Sequence, residues 1–436
     1  MRKKRTNRFC KGLLNFYKEH LKPIPWVHGP LVRIYVLVWP LVSYAYYFIK
    51  AIGGQKYKQV RISSFVISAG VQKQTILPAE KLTITRSRVY PVEYQNKLEV
   101  CERDKDFPEI LIATIPNAEV IGGSNMVFSA HTAIKHDLFD SRKDCTSEEL
   151  HRRYIFSPTL KFLIRNFSGI RRRTFQQAAC FTDACSGNYA HWLTEVLPRI
   201  YLFTESGMSS EIRMIIDRGL HPNLMESFHV IAGENPNVFK LGRNRLAAVE
   251  SLSMVSCAGY VPFGRRSSKT KGHSYGRFSP ATFKGMVNKI RRNLGIEAKQ
   301  GWRKLYIRRN SSVRTVSNLQ EIESILIQQG FEFVEPEQLT FAKQVKLFSE
   351  AGVIVGATGA AMANLIFCSS LTKIIVMMGI HDEMPYAYWQ NMASAVGNNV
   401  SYVLGKVSDS SFRGIHANFR IETKDLLQAL ELSAVV

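Results

Sequence analysis

Acidic residues are scarce in this 436-residue chain: 35 Asp and Glu stand against 58 Lys and Arg, a net charge of +23. No paired-Asp motif closes a strand, so little supports a metal-held nucleotide diphosphate. Neither a Gly-x-Gly-x-x-Gly nor a Walker A loop occurs, and no low-complexity or collagen-like period is present. The seven cysteines, at 10, 101, 145, 180, 185, 257 and 368, are odd in number and include no Cys-x-x-Cys. That speaks against a zinc site and favours reduced thiols in a cytosolic compartment. What is there is ordinary for a globular protein: 45% apolar and 21% charged residues, in a length that suggests two or three domains.

A strongly positive field favours anionic partners, namely nucleic acid, anionic lipid or phosphorylated small molecules. The excess is uneven. Residues 1–60 hold twelve Lys/Arg and one acid, Glu19, leaving the rest only mildly basic. Arg2, Lys3, Lys4, Arg5 and Arg8 precede an apolar run, Ile34–Ile49. Its sixteen residues, interrupted by Pro40, fall short of the ~20 that span hydrocarbon. With Trp26, Trp39, Tyr35, Tyr44, Tyr46 and Tyr47 around it, the run reads as an interfacial anchor on an anionic membrane surface. The expected location is the cytoplasmic face of the membrane, peripheral or N-terminally anchored. A spanning helix or a helix packed on the protein's own core are the alternatives. No nucleic-acid-binding motif follows the basic segment, so no nucleic acid partner is expected.

Residues 61–150 read as short strands: VRISSFVIS, KLTITRSRV, EILIATIP and AEVIGGSNMVFS. A Gly/Ser/Arg/Lys-rich segment, 264–280, reads as a mobile loop or a linker between lobes. Beyond it, strand candidates at 304–309, 331–335, 352–356, 372–378 and 401–405 alternate with helices. One helix starts at Ser317 with a capping box to Gln320 and stops at Gly330. Others start near Thr340, open at Gly359, cover about 384–396 and run from about Thr423 to Ala434. β-Branched strands alternating with helices predict an α/β unit with a parallel sheet buried on both faces over 285–436.

Three constellations carry chemistry. In GNYAHWLTEVLPRIYLF (187–203) a helix would align His191, Glu195 and Arg199 four residues apart. A base, an acid and a cation would then share one stripe, with Glu195 raising the basicity of His191. Pro198 would bend this helix. A solvated polar face, or a substrate-binding stripe, is the alternative. In VIVGATGAAMANLIF (353–367) a buried strand ends at Gly356 and feeds a helix at Gly359. Its free N–H groups and the Thr358 hydroxyl suit a diphosphate; a tight packing turn is the alternative. In LYIRRNSSVRTVSN (305–318) a strand runs into Arg308 and Arg309, which can neutralise a leaving diphosphate in the same crevice or be surface cations. His381, Asp382 and Glu383 lack the spacing of a further ligand, so no metal and no cofactor are expected.

Taken together, NYAHWLTEVLPR (188–199), LYIRR (305–309) and GFEFVEPEQLTFAKQVKLFSEAGVIVGATGAAMANLIF (330–367) resemble the family 61 glycosyltransferases, which include members associated with capsular polysaccharide synthesis. EVIGGSNMVF (119–128) is similar to the family's opening strands. The resemblance implies a GT-B fold of two Rossmann-like α/β lobes, here behind an N-terminal apolar and basic extension. The expected divisions are 1–60, an acceptor-binding lobe at 61–284 and a nucleotide-sugar-binding lobe at 285–436. It implies inverting transfer from a nucleotide-sugar donor to a hydroxyl of a glycan or lipid-linked glycan acceptor. His191 and Glu195 would be catalytic. Arg308, Arg309, Glu335, Glu337, Gly356, Thr358, Gly359 and Asn364 would hold the donor, and Asn188 and Arg199 the acceptor. Two departures stand out. Thr358 replaces the histidine of a His-Gly-Ala-Gly motif, and Lys343 stands where an acid often starts the helix, which would weaken its cap. They leave a non-catalytic, membrane-attached nucleotide- or anion-binding protein as the rival reading.

Overall fold

The computed structural model describes residues 54–98, 104–140, 155–157, 162–165, 167, 170–208, 211–243, 245–261, 276–297, 300–311, 313–381, 386–408 and 416–431. The basic N-terminal segment with its apolar run, most of the Gly/Ser/Arg/Lys-rich segment, and Asp382 and Glu383 lie outside the described residues. No helix among the described residues is long and apolar enough to cross a membrane.

The β-branched runs of the C-terminal region form one parallel sheet. Its strands lie in the order Glu332–Val334, Arg303–Ile307, Ala351–Ala357, Lys373–Gly379, Val400–Val407. Side chains alternate between two apolar clusters. Leu305, Ile307, Ile354 and Ile374 join one, while Tyr306, Val355, Ile375 and Met377 join the other. Both faces are thus covered, as a parallel sheet requires. Arg88–Tyr90 pairs parallel beside Val400–Val407, and Phe419–Arg420 pairs antiparallel to it. All five expected strands are present. In chain order they sit second, first, third, fourth, fifth, so the winding reverses between Arg303–Ile307 and Ala351–Ala357. Ligands of open α/β sheets collect in the crevice at such a reversal, beyond the carboxyl ends of the strands.

The helices differ from expectation in two places. Thr340 caps Phe341–Ser349 by accepting from the Lys343 amide, as expected, but no capping box forms at Ser317. The helix Leu319–Gln328 begins after Asn318, whose amide instead bonds Glu321 and the Ile421 carbonyl. After Gly359 the chain forms a 3₁₀ run, Ala360–Phe367, rather than an α-helix.

The first sheet is mixed. Val238–Leu241, Arg213–Asp217, Arg172–Cys180 and Leu246–Val255 are mutually parallel neighbours. Leu246–Val255 then pairs antiparallel to the twelve-residue strand Ile110–Ile121, and further strands down to Gln55–Arg61 and Phe162–Arg165 extend the sheet. Only the four-strand parallel part is Rossmann-like. The segment read as the strand VRISSFVIS is instead the end of a strand, Gln55–Arg61, followed by a helix, Ile62–Ala69. Burial of Ile62, Phe65 and Val66 on one side of that helix outweighs the β-branched composition. The two sheets are not independent inside: one apolar cluster contains Trp192, Phe228 and Phe283 as well as Phe341, Ile354 and Phe367.

Candidate functional site

The strand Arg303–Ile307 delivers Arg308 and Arg309 to the reversal point, and Ala351–Ala357 delivers Thr358 and Gly359 beside them. The two loops meet closely. A Cβ on Gly359 would collide with Nη1 of Arg309, so only glycine lets the guanidinium lie against that backbone. Arg308 and Arg309 border a cavity of about 360 Å³, together with Glu337, Gly359, Ala360 and Ala361. Across from them the wall is formed by Gly187, Tyr189, His221, Asn223 and Leu224. A second cavity of about 340 Å³ shares Arg308 and Arg309 but has Glu335, Tyr306 and Thr315 on its walls. Glu335 and Glu337 therefore face different cavities.

The two arginines are not equivalent. Arg308 makes a bidentate pair with Glu323, at 2.8 and 2.9 Å, and lies over the Phe333 ring. The Glu323 bonds hold its guanidinium above the usual range. Arg309 instead donates to the Val313 carbonyl at 3.0 Å and to the Ser311 hydroxyl at 3.4 Å. Burial and the neighbouring Arg314, opposed by Glu337, push its guanidinium down to about 10. An anion at Gly359 would relieve that cost.

Other residues expected at the donor are placed in the interior. Gly356 lies under Met362, whose sulfur occupies the space a Cβ would need. The buried Thr358 hydroxyl accepts the Trp389 indole N–H at 3.0 Å. Asn364 is fully buried, accepting from the Tyr189 hydroxyl at 2.6 Å and donating to Gln344 at 2.8 Å. It fastens the first sheet's Tyr189 to the second sheet's wall.

His191, Glu195 and Arg199 do share one stripe, but it is not solvated: their exposures are 7%, 5% and 7%. Asn188 caps the helix start through the amides of Ala190 and His191. Pro198 does not bend a regular helix. Trp192–Val196 is a π-turn between the short helix Tyr189–His191 and the helix Leu197–Glu205, closed by Leu197 N–H donating to the Trp192 carbonyl. The Thr194 carbonyl, which Pro198 leaves without its helical donor, lies against Gly259, where a Cβ would collide with it.

His191 Nδ1 lies 2.5 Å from Glu195 Oε1. Burial alone would lower the imidazole pKa, but the Glu195 charge and hydrogen bond, with Asp183, raise it. Burial drives the Glu195 carboxyl up to about 7 against the opposing His191 and Arg199. Arg199 donates to the Glu195 and Thr182 carbonyls and lies 3.5 Å from Asp183. Asp183 receives the Cys185 amide and the Asn125 side chain, and its own amide bonds Asp217. His191 is not on the wall of the 360 Å³ cavity; Tyr189, two residues earlier, is. Asp183, Asp217 and the capping residue Glu226 are contacts that sequence reading missed, because no local pattern marks them. Tyr189 and Gln344 lay inside quoted motifs without an assigned role.

Among the described residues no group of three His, Cys, Asp or Glu side chains gathers to hold a metal. The family model for Glycosyltransferase 61 matches residues 189–375, from the Tyr189 wall to the fourth strand of the parallel sheet. Over that stretch the chain is similar to the family 61 glycosyltransferases, which supports a glycosyltransferase. No curated protein matches the chain.

Proposed function

We propose that this glycosyltransferase transfers a sugar, with inversion, from a nucleotide-sugar donor to a hydroxyl of a glycan or lipid-linked glycan acceptor in surface-polysaccharide synthesis. The observation that carries the donor site is Arg309 lying against Gly359 at the winding reversal of a parallel sheet, on the wall of a cavity of ligand size. In this reading the sheet unit, 285–436, binds the donor in a GT-B arrangement and the unit at 61–284 binds the acceptor. Arg309 and the amides after Gly359 take the diphosphate, and Arg308 assists. Charge that develops on the departing diphosphate is met by guanidinium and backbone dipoles, without a resident metal.

The acceptor hydroxyl attacks the anomeric carbon as the bond to the diphosphate breaks. Its proton passes to His191, which lies off the wall of the donor cavity and whose basicity Glu195 raises. The cation Arg199 and the carboxylates Asp183 and Asp217 hold this dyad in place. The basic segment before residue 60 attaches the enzyme to an anionic membrane surface at the cytoplasmic face, where lipid-linked acceptors are presented. Incubation with a panel of nucleotide sugars tests the reading: at least one should release its nucleoside diphosphate above the buffer rate, and Arg309→Ala should lose most of that release. A panel that stays intact with every acceptor glycan offered contradicts it.

A further inference from the structure

The cavity at Arg309 has a second wall, built by the first sheet's helix Pro222–Ala232 and the loop before Tyr189. On the Arg309 side the positive charge is limited. Arg308 is paired with Glu323, and Glu337 adds a negative charge to the same wall. A diphosphate has more acceptor oxygens than Arg309, Arg308 and the amides after Gly359 cover from one side, so a hydrogen-bond donor on the facing wall would complete the site. Two of the polar side chains there are committed elsewhere. The Tyr189 hydroxyl goes to Asn364, and the Asn223 amide donates to the Leu339 carbonyl at 2.8 Å. His221 remains. Its Nδ1 accepts from the Asn223 backbone N–H at 3.2 Å, capping the helix. Because that bond requires a lone pair on Nδ1, the ring hydrogen of the neutral imidazole is on Nε2. The side chain is exposed on the cavity wall.

We infer that His221 is a donor-binding residue: its Nε2–H hydrogen-bonds the diphosphate of the nucleotide sugar from the wall opposite Arg309, so the two sheets grip the leaving group between them. The inference rests on the reading of this cavity as the donor site. It gives His221 two roles at once, a cap through Nδ1 and a ligand contact through Nε2.

Two substitutions separate the roles. His221→Asn keeps a side-chain acceptor suited to the cap and removes the reach to the ligand. His221→Gln places an amide N–H near the position of Nε2. Titration calorimetry of the full chain with UDP, GDP and CDP reads both. His221→Asn should weaken the bound nucleotide about tenfold, the size of one hydrogen bond to a charged group, with the melting temperature unchanged. His221→Gln should keep most of the affinity. If the wild type binds one of these nucleotides and His221→Asn binds it within twofold of wild type, or if both variants are weakened alike, the role of His221 is refuted. If the wild type binds none of them, the donor-site reading fails instead, and His221 falls with it.

Discussion

At the residue scale, the proposed chemistry rests on two contacts, His191 with Glu195 and Arg309 with Gly359. Replacing His191 with Ala should lower kcat by about 10²-fold or more with donor affinity intact; steady-state turnover alongside nucleotide titration reads both, and unchanged turnover removes His191 from the reaction. His191 must be neutral to accept a proton, so activity rises with pH through its pKa. Glu195→Gln deletes the charge that raises this pKa and leaves burial, which favours the neutral ring. The acid limb of the kcat/KM profile should therefore move to lower pH while the plateau falls; a limb that stays in place contradicts the coupling. Gly359→Ala should fold normally, since the obstacle is the movable end of Arg309, yet displace that guanidinium and weaken nucleotide binding about tenfold. Equal affinity would show that the close approach is not used. The stripe His191, Glu195, Arg199 was legible from spacing alone. Its burial was not, because the walls that cover it come from distant parts of the chain.

At the element scale, local sequence specifies some ends well and others not at all. The strands at 352–356 and 372–378 appear as Ala351–Ala357 and Lys373–Gly379, because long β-branched runs buried on both faces admit one reading. Thr340 was readable as a cap for the same local reason. The π-turn at Trp192–Val196 was not; its Thr194 carbonyl packs against Gly259, from a distant part of the chain. The Lys343 departure also resolves here. The acid missing from that first turn is supplied by Glu226 of the helix Pro222–Ala232, whose carboxylate accepts the Phe341 and Ala342 amides at 2.7 and 3.0 Å. That bond caps one helix and ties the two sheets together. Glu226→Ala should cost about 1–3 kcal/mol in denaturant unfolding; a loss below about 0.5 kcal/mol would mean that Thr340 caps the helix unaided.

At the scale of the whole molecule, the parallel C-terminal sheet was legible in outline and the first sheet only in part. The alternating pattern of residues 60–68 suits a strand or a helix, and tertiary burial decided for a helix over Ile62–Ala69. The cavity itself was legible only as two loops expected to converge. Its opposite wall, with His221 and Asn223, arises from long-range packing that no motif announces. A continuous apolar cluster beneath both sheets sets the spacing of those walls. Titration calorimetry of nucleoside diphosphates against the wild type and Arg309→Ala tests the central claim, that this cavity receives the donor, most directly. Saturable binding of at least one nucleotide by the wild type, weakened tenfold or more in Arg309→Ala, is the predicted result. Equal affinity in the two proteins would contradict it.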